Sequence, residues 1–211
     1  MAHLDLEEQE QLAQLKSWWA TYGNLVVSLL LAASLGFSGW QGWRWWQASQ
    51  SGQASALYEA LGTAIRGKDA KAVRETGGML LEKYPGTAYA SMGALASARF
   101  FFDKGDLQDA RAQLQWVLDK TGSDEFRDLA RLRIANVLLD EKKPDEALKA
   151  LESPHGAAFD AQFALLRGDI LVARRQPAEA KAAYQVALDK AGTKDAALRE
   201  RIQMRIDALG G

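Results

Sequence analysis

The chain has 211 residues, with 26 basic and 27 acidic side chains, so its formal net charge is −1. This balance lacks the basic excess of nucleic-acid-binding proteins, and the absence of cysteine excludes disulfides, zinc–thiolate sites and cysteine nucleophiles. Alanine occurs 37 times, against 18 valine, isoleucine and threonine residues together. Because alanine is the strongest helix former, the composition predicts an all-α fold.

Residues 1–22 form an acidic tail. Leu12, Leu15 and Trp19 fall on one helical face, which predicts a short helix leading into the next segment. Anionic lipid headgroups would repel the acids, so the tail is a candidate regulatory contact, with simple solubility as the alternative. The acids are Asp5, Glu7, Glu8 and Glu10.

Residues 23–46 are predicted to form a single transmembrane helix in a lipid bilayer. Between Lys16 and Arg44 lie 27 uncharged residues, and residues 25–37 have no polar face. A helix that is apolar all round needs lipid or a large protein core around it. Residues 22–40 rise about 27 Å as a helix, close to the ~30 Å thickness of the hydrocarbon region.

Aromatic side chains lie at both ends of this segment, where their amphipathic rings suit the headgroup level. Ser28, Ala32 and Gly36 form a stripe of small residues along which a second helix would pack closely, although such residues are common in membrane helices. Basic residues on the two sides nearly cancel, so charge leaves the orientation open. The interfacial aromatic residues are Trp18, Trp19, Tyr22, Trp40, Trp43, Trp45 and Trp46.

Two alternatives compete with a transmembrane anchor. A helix of this length also fits a buried core helix, but the rest of the chain consists of repeats that bury their own apolar faces. A cleaved signal peptide is the other alternative, and Ala54, Ser55 and Ala56 have the small-residue form of a cleavage site. They lie far beyond the apolar run, and the leading region is acidic instead of basic, so an uncleaved anchor is favoured.

Residues 47–54 are predicted to be a short juxtamembrane linker, and residues 55–211 a tetratricopeptide-like repeat domain. Three decapeptides align without gaps: "GDLQDARAQL", "KKPDEALKAL" and "RQPAEAKAAY". Their shared Ala110, Ala147 and Ala180 are 37 and 33 residues apart, within the range of helical-hairpin repeats. Pro144 and Pro177 fit the first position of a helix, so each decapeptide begins the second helix of a hairpin.

The first helices of these hairpins show a matching pattern of small and large residues. Small residues recur one turn before large apolar ones, which predicts close packing between neighbouring helices. The small residues are Ala98, Ala135 and Gly168, and the large ones are Phe101, Leu138 and Leu171.

A weaker unit precedes the three, matching them through Gly67 and Ala72, although Gly77 and Gly78 should weaken its second helix. At the other end, an apolar stripe predicts a helix that caps the repeats. The fold class is therefore all-α: a single transmembrane helix, then a tetratricopeptide-like α-solenoid of about four helical hairpins plus a C-terminal capping helix. The stripe consists of Leu198, Ile202, Ile206 and Leu209.

The sequence indicates binding and not catalysis. Phosphate loops, dinucleotide fingerprints and nucleophile elbows do not occur in it. The histidines are His3 in the tail and His155 in an "SPHG" turn, so a paired histidine base, a metal site or a cofactor site is not indicated. We expect a non-enzymatic protein.

Helical-repeat proteins bind partners on the concave face that the first helix of each hairpin lines. Six residues are predicted to lie there, and their mixture of apolar and polar groups suits an extended or helical peptide. The alternative is that the three apolar members pack against the next hairpin, and the sequence weighs the two evenly. The six are Arg99, Phe102, Asn136, Leu139, Asp169 and Val172.

Several stretches together resemble the YfgM family, the ancillary subunit of the bacterial SecYEG translocon. They are "LKSWWATYGN", "GWQGWRWWQ", "TAYASMGALASARF", "LRIANVLL", "LRGDIL" and "LRERIQMRIDAL". The resemblance implies a single-pass protein of the bacterial inner membrane, with a cytoplasmic N-terminus and periplasmic repeats. It also implies association with the translocon, with the membrane-anchored periplasmic chaperone PpiD and with unfolded secretory chains, and it offers no catalytic residues.

Two other functions stay open. One is an envelope adaptor that binds one dedicated partner in cell division or outer-membrane assembly. The other is a receptor with cytosolic repeats on an organelle membrane, which only the resemblance disfavours.

Overall fold

A computed structural model describes residues 6–193 and 195–210, with side chains described from Glu10 onward. The described residues form nine α-helices, one short 3-10 helix and no strand, which confirms the predicted all-α class. The chain divides into two compact units, the first ending at Ser49 and the second beginning at Gln50. Helix α1, Leu6–Arg66, contributes residues to both units.

In the first unit, the apolar side chains of α1 are exposed. Leu25, Leu35 and Trp45 are 59%, 73% and 74% exposed, so this stretch is not the buried core helix of the chain's own fold. Within the described residues, α1 is the one helix long and apolar enough to cross a membrane.

The predicted linker at residues 47–54 is helical throughout. Its second half belongs to the repeat unit, where Ala54 is fully buried. Gln53 accepts a hydrogen bond from the hydroxyl of Tyr84 at 2.7 Å. Small polar residues are typical of linkers, but this stretch has no proline to interrupt a helix, and its alanines favour one.

The second unit contains four helical hairpins and a final helix, as predicted. Residues 55–66 of α1 pair with α2 in the first hairpin. The remaining pairs are α3 with α4, α5 with α6, and α7 with α8, and a 3-10 turn at Ala157–Phe159 precedes α7. The bounds are α2 Ala70–Lys83, α3 Ala88–Asp103, α4 Leu107–Lys120, α5 Asp124–Asp140, α6 Pro144–Ala150, α7 Asp160–Ala173, α8 Pro177–Lys190 and α9 Ala196–Asp207.

All four hairpins turn in the same way. Lys68, Gly105, Lys142 and Arg175 each have a positive φ, between 55° and 79°. The next residue donates its backbone N–H to a carbonyl five positions earlier, the pattern that ends a helix with a left-handed residue. These hydrogen bonds run from Asp69 to Ala64, Asp106 to Phe101, Lys143 to Leu138, and Gln176 to Leu171.

This shared turn corrects the predicted alignment of the first repeat by one residue. Lys68, not Gly67, occupies the place of Gly105. Val73, not Ala72, therefore occupies the place of Ala110, and Val73 and Ala110 are both fully buried. Glycine is the usual residue at positive φ, so the sequence favoured Gly67, but α1 ends at Arg66 and the positive φ falls at Lys68. Gly67 still donates its backbone N–H to the carbonyl of Thr63, four residues earlier, as in a helix.

Close helix contacts explain two glycines. A side chain at Gly168 would place its Cβ 2.2 Å from the ring of Tyr184, and one at Gly77 would lie 3.1 Å from the hydroxyl of Ser97. Helix α2 continues through Gly77 and Gly78. The predicted stripe of α9 is confirmed: Leu198, Ile202 and Ile206 are buried and Leu209 is partly buried.

Candidate protein-binding groove

The first helices of the hairpins form a groove together with α9. We call its two main cavities the α3 pocket, of about 850 Å³, and the α9 pocket, of about 640 Å³. Leu129 and Arg133 of α5 line both pockets, so α5 joins them into one surface. The α3 pocket is lined by Tyr58, Ile65, Lys68, Met92, Leu95, Ala96, Arg99, Phe100, Asp103, Lys104, Phe126, Leu129 and Arg133. The α9 pocket is lined by Leu129, Leu132, Arg133, Asn136, Gln162, Leu165, Leu166, Asp169, Leu198, Arg201, Met204, Arg205 and Ala208.

The repeat spacing of 37 and 33 residues organises the part of the groove formed by α3, α5 and α7. Four positions along each helix, each within one turn of the next, line the groove in all three helices. Each position gives a set of three aligned residues. Side chains three or four residues apart lie on the same helical face, which is why these sets form one wall. The sets are Met92, Leu129 and Gln162; Leu95, Leu132 and Leu165; Ala96, Arg133 and Leu166; and Arg99, Asn136 and Asp169.

The structure places the three polar predicted residues in the groove. Arg99 lines the α3 pocket, and Asn136 and Asp169 line the α9 pocket. Arg99 and Asn136 also border a smaller cavity of about 240 Å³ beside Phe102.

The three apolar predicted residues do not line the two main pockets, although Phe102 lines the smaller cavity with Arg99 and Asn136. Phe102 and Leu139 are partly buried and pack against the core of the domain. Val172 is 42% exposed and lies outside the linings of the three cavities. Each lies three residues beyond the last of the four groove sets, where a helical side chain has rotated by about a further 60°, so it lies at the edge of the face that lines the groove.

The predicted packing and interfacial residues of the membrane segment are all exposed on α1. Ser28, Ala32 and Gly36 are exposed, and a Cβ added at Gly36 meets nothing within 4 Å. Two aromatic pairs lie at the ends of the segment, with ring centroids 5.8 Å apart for Trp18 and Tyr22 and 5.3 Å apart for Trp43 and Trp46. In the tail, Glu10 is exposed; Asp5 and the side chains of Glu7 and Glu8 lie outside the described part.

The groove carries an excess of positive charge that the whole chain lacks. Six cationic side chains line its two main pockets against two carboxylates, Asp103 and Asp169. The cationic residues are Lys68, Arg99, Lys104, Arg133, Arg201 and Arg205.

Both carboxylates of the groove already have partners. Asp103 accepts a hydrogen bond from Arg99 at 2.8 Å. Asp169 pairs with Arg205 at 3.2 Å and accepts the hydroxyl of Tyr184 at 2.7 Å. Burial, and then this hydrogen bond, raise the pKa of Tyr184 well above its usual range.

Arg133 stands out among the cations of the groove. Its guanidinium donates to the backbone carbonyl of Leu95 at 2.8 Å, and within the described residues it forms no ion pair. Burial and the like charge of Arg99 lower the pKa of Arg133, although arginine remains protonated at neutral pH. A half-buried charge without a counter-charge is suited to bind an incoming carboxylate.

His155 lies in the turn between α6 and α7, as predicted, and its ring stacks on Phe163 at 3.8 Å. Across the ranges 6–193 and 195–210, no group of three histidine, cysteine or acidic residues is placed to hold a metal ion.

Sequence reasoning missed Arg133 and the contribution of α9. The signal for Arg133 was available, because it lies one turn before Asn136 on the same helical face. Helix α9 was predicted as a cap with a charged outer face, but Arg201, Met204 and Arg205 of that face line the α9 pocket.

Comparison with known proteins gives consistent results along nearly the whole chain. A family model described as a tetratricopeptide repeat-like domain matches residues 16–211. The chain is 32% identical to an ancillary SecYEG translocon subunit of Neisseria gonorrhoeae over 97% of its own length and 98% of that protein. It is 32% identical to the protein of the same description from Haemophilus influenzae, over 86% and 89%. For the Escherichia coli protein of that description, the identity is 31% over 96% of each chain.

Proposed function

Because the chain belongs to the family of tetratricopeptide repeat-like ancillary SecYEG translocon subunits, we propose that it is a membrane-anchored, non-enzymatic scaffold of the Sec translocon. Its repeat domain would bind a membrane-anchored periplasmic chaperone, emerging secretory chains, or both. The observation that carries this proposal is the near full-length similarity to the translocon subunits, which covers the apolar helix as well as the groove.

The first unit supplies the anchor. Its apolar side chains are exposed over a length that matches a bilayer, and aromatic residues lie at both ends. A lipid environment would bury this surface, which the chain's own fold leaves open. In the proposed topology residues 1–22 are cytoplasmic and the repeats are periplasmic.

The anchor also explains how a modest groove would be effective. A binding site that is attached to the membrane beside an exit channel meets the emerging chain at a high effective concentration. Weak, reversible binding then suffices, and it allows the chain to be passed on to a chaperone.

Affinity purification tests the association. The full chain is extracted from membranes in a mild detergent, and its co-purifying proteins are identified. The proposal predicts translocon subunits among them. A matched control replaces residues 23–46 by an unrelated transmembrane helix, which separates contacts of the anchor from contacts of the repeats.

Complete absence of translocon subunits under gentle extraction would contradict the proposal. Recovery of one other protein in equal amount, without the translocon, would favour the envelope adaptor. Protease protection in intact spheroplasts tests the topology: the repeats should be cleaved from outside, and full protection would place them in the cytosol.

A further inference from the structure

The groove combines apolar walls with cations that have no counter-charge. Lys68, Lys104, Arg133 and Arg201 line it without a carboxylate partner anywhere in the ranges 6–193 and 195–210. Lys104 lies over the ring of Phe100, 5.7 Å from its centroid. The two carboxylates of the groove, Asp103 and Asp169, are paired with Arg99 and Arg205, so they do not neutralise these four cations.

The walls between these cations are apolar. Leu95, Leu132 and Leu165 come from aligned positions of the three first helices, and Met204 of α9 adds a flexible thioether that is 56% exposed. Methionine adapts to side chains of different shapes, which suits a surface that binds varied apolar groups. A partner that fills both pockets must therefore offer apolar side chains and negative charge together.

We propose that the groove selects apolar protein segments that carry carboxylates, and that Arg133 binds a carboxylate where the α3 and α9 pockets meet. This proposal rests on the proposed function only because it assumes that the groove binds a protein. The planar guanidinium of arginine binds a carboxylate through two parallel hydrogen bonds, which fixes the segment between its apolar contacts on either side.

The position of Arg133 makes it the strongest of the four cations for this role. It is the one that lines both main pockets, so a group bound there is close to both apolar walls. It is also half-buried, where an ion pair is screened less by salt and water than on an open surface. A bound carboxylate would supply the counter-charge that Arg133 lacks in the free protein.

Peptide binding to the full chain in nanodiscs of zwitterionic lipid tests the selection. The probes are three fluorescent peptides of about 15 residues in which leucine alternates with glutamate, glutamine or lysine. Fluorescence anisotropy measures their affinities, with empty nanodiscs as the background. The acidic peptide should bind at least about tenfold more tightly than the neutral one, and higher salt should narrow that ratio.

Arg133→Gln tests the residue. It should reduce the ratio of acidic to neutral binding from about tenfold to within about threefold, whereas Arg133→Lys should retain part of it. The matched control is Arg174→Gln, which removes the same charge outside the two pockets, where Arg174 pairs with Asp145 at 3.2 Å. The control should leave the ratio unchanged.

Equal binding of the acidic and neutral peptides would overturn the proposal, as would tighter binding of the lysine peptide. A ratio that survives Arg133→Gln would overturn the role of Arg133. If that variant fails to fold, the three peptides on the unmodified chain still decide the charge preference, and Arg133→Lys decides the residue. If translocon subunits co-purify but the groove shows no preference for acidic peptides, this inference alone is contradicted. If the groove prefers acidic peptides but no translocon subunits co-purify, the proposed function alone is contradicted.

Discussion

Helices α3, α5 and α7 present two different sets of aligned positions, one to the core and one to the groove. At the core positions the chemistry repeats: the residues are small at one position and large and apolar three residues later. At three of the four groove positions it changes from helix to helix, whereas Leu95, Leu132 and Leu165 repeat the same residue. The core sets are Ala98, Ala135 and Gly168, and Phe101, Leu138 and Leu171; two of the groove sets are Ala96, Arg133 and Leu166, and Arg99, Asn136 and Asp169.

The difference shows what each surface has to satisfy. The side chain at a core position must fill the volume that its neighbours leave, so the same kind of residue occurs there in each repeat. A groove position borders a cavity, so packing limits it less, although Leu166 is buried and Ala96 is partly buried. The variation from Ala96 to Arg133 to Leu166 is therefore where this chain has room for binding chemistry.

The largest effect should follow from a change at a core position. Gly168→Ala would place a Cβ 2.2 Å from the ring of Tyr184, which is itself buried, so the ring or one of the two helices must shift. We expect a loss of about 3 kcal/mol in the free energy of unfolding, the upper range for overpacking. Thermal unfolding of the full chain, followed by circular dichroism, measures it.

Gly78→Ala is the matched control for that change. A Cβ at Gly78 meets nothing within 4 Å, so alanine should stabilise α2 by about 0.5 to 1 kcal/mol. Equal effects of the two substitutions would show that the helices do not approach as closely at Gly168 as the structure indicates.

A smaller effect is expected where the core meets the groove. Tyr184→Phe removes the hydrogen bond to Asp169 but keeps the ring, and Asp169 retains Arg205. The expected loss is about 1 kcal/mol at neutral pH. Denaturant unfolding of both proteins measures it.

The pH dependence of the same pair gives a second readout. The pKa of Tyr184 is raised in the folded state, so its contribution is present below the unfolded pKa and is lost as pH rises above about 10. Tyr184→Phe should lack that part of the decline. Parallel stability curves for the two proteins above this pH would contradict the burial and bonding of this hydroxyl.

The smallest effect on stability should come from the groove itself. Arg133→Met keeps a long side chain and removes a half-buried charge that has no carboxylate partner in the described chain. We expect the free energy of unfolding to change by less than about 1 kcal/mol, or to rise. A loss as large as that of Gly168→Ala would make Arg133 a core residue and remove the contrast between the two surfaces.

Much of the fold could be predicted from the sequence because the residues that pack in the core recur at the same position of each repeat. The spacing of Ala110, Ala147 and Ala180 predicted the hairpins, and all three residues are fully buried. Prediction was less exact where the usual residue preferences do not hold. The first repeat is shifted by one residue because Lys68, and not Gly67, has the positive φ. Residues 47–54 are helical although their small polar residues are typical of a linker.

The groove was predictable only in part. Arg99, Asn136 and Asp169 were assigned to the first helices by the register of the repeats, and they line the two main pockets. Their role in binding a protein stays a prediction. Phe102 and Leu139 were assigned to the same face, but apolar residues at the border of core and groove look alike in sequence. Helix α9 was missed as part of the wall because its contacts depend on how the last hairpin positions it.

Photocrosslinking in living cells tests the central claim, that the groove binds protein segments beside the translocon. A photoreactive phenylalanine analogue replaces Met92 or Met204 in the groove, or the exposed Met79 of α2 outside the two main pockets as the matched control. The account predicts crosslinks to translocon subunits, a chaperone or secretory chains from Met92 and Met204, and few from Met79. Crosslinks to these proteins from Met79 alone, or from none of the three positions, would contradict it.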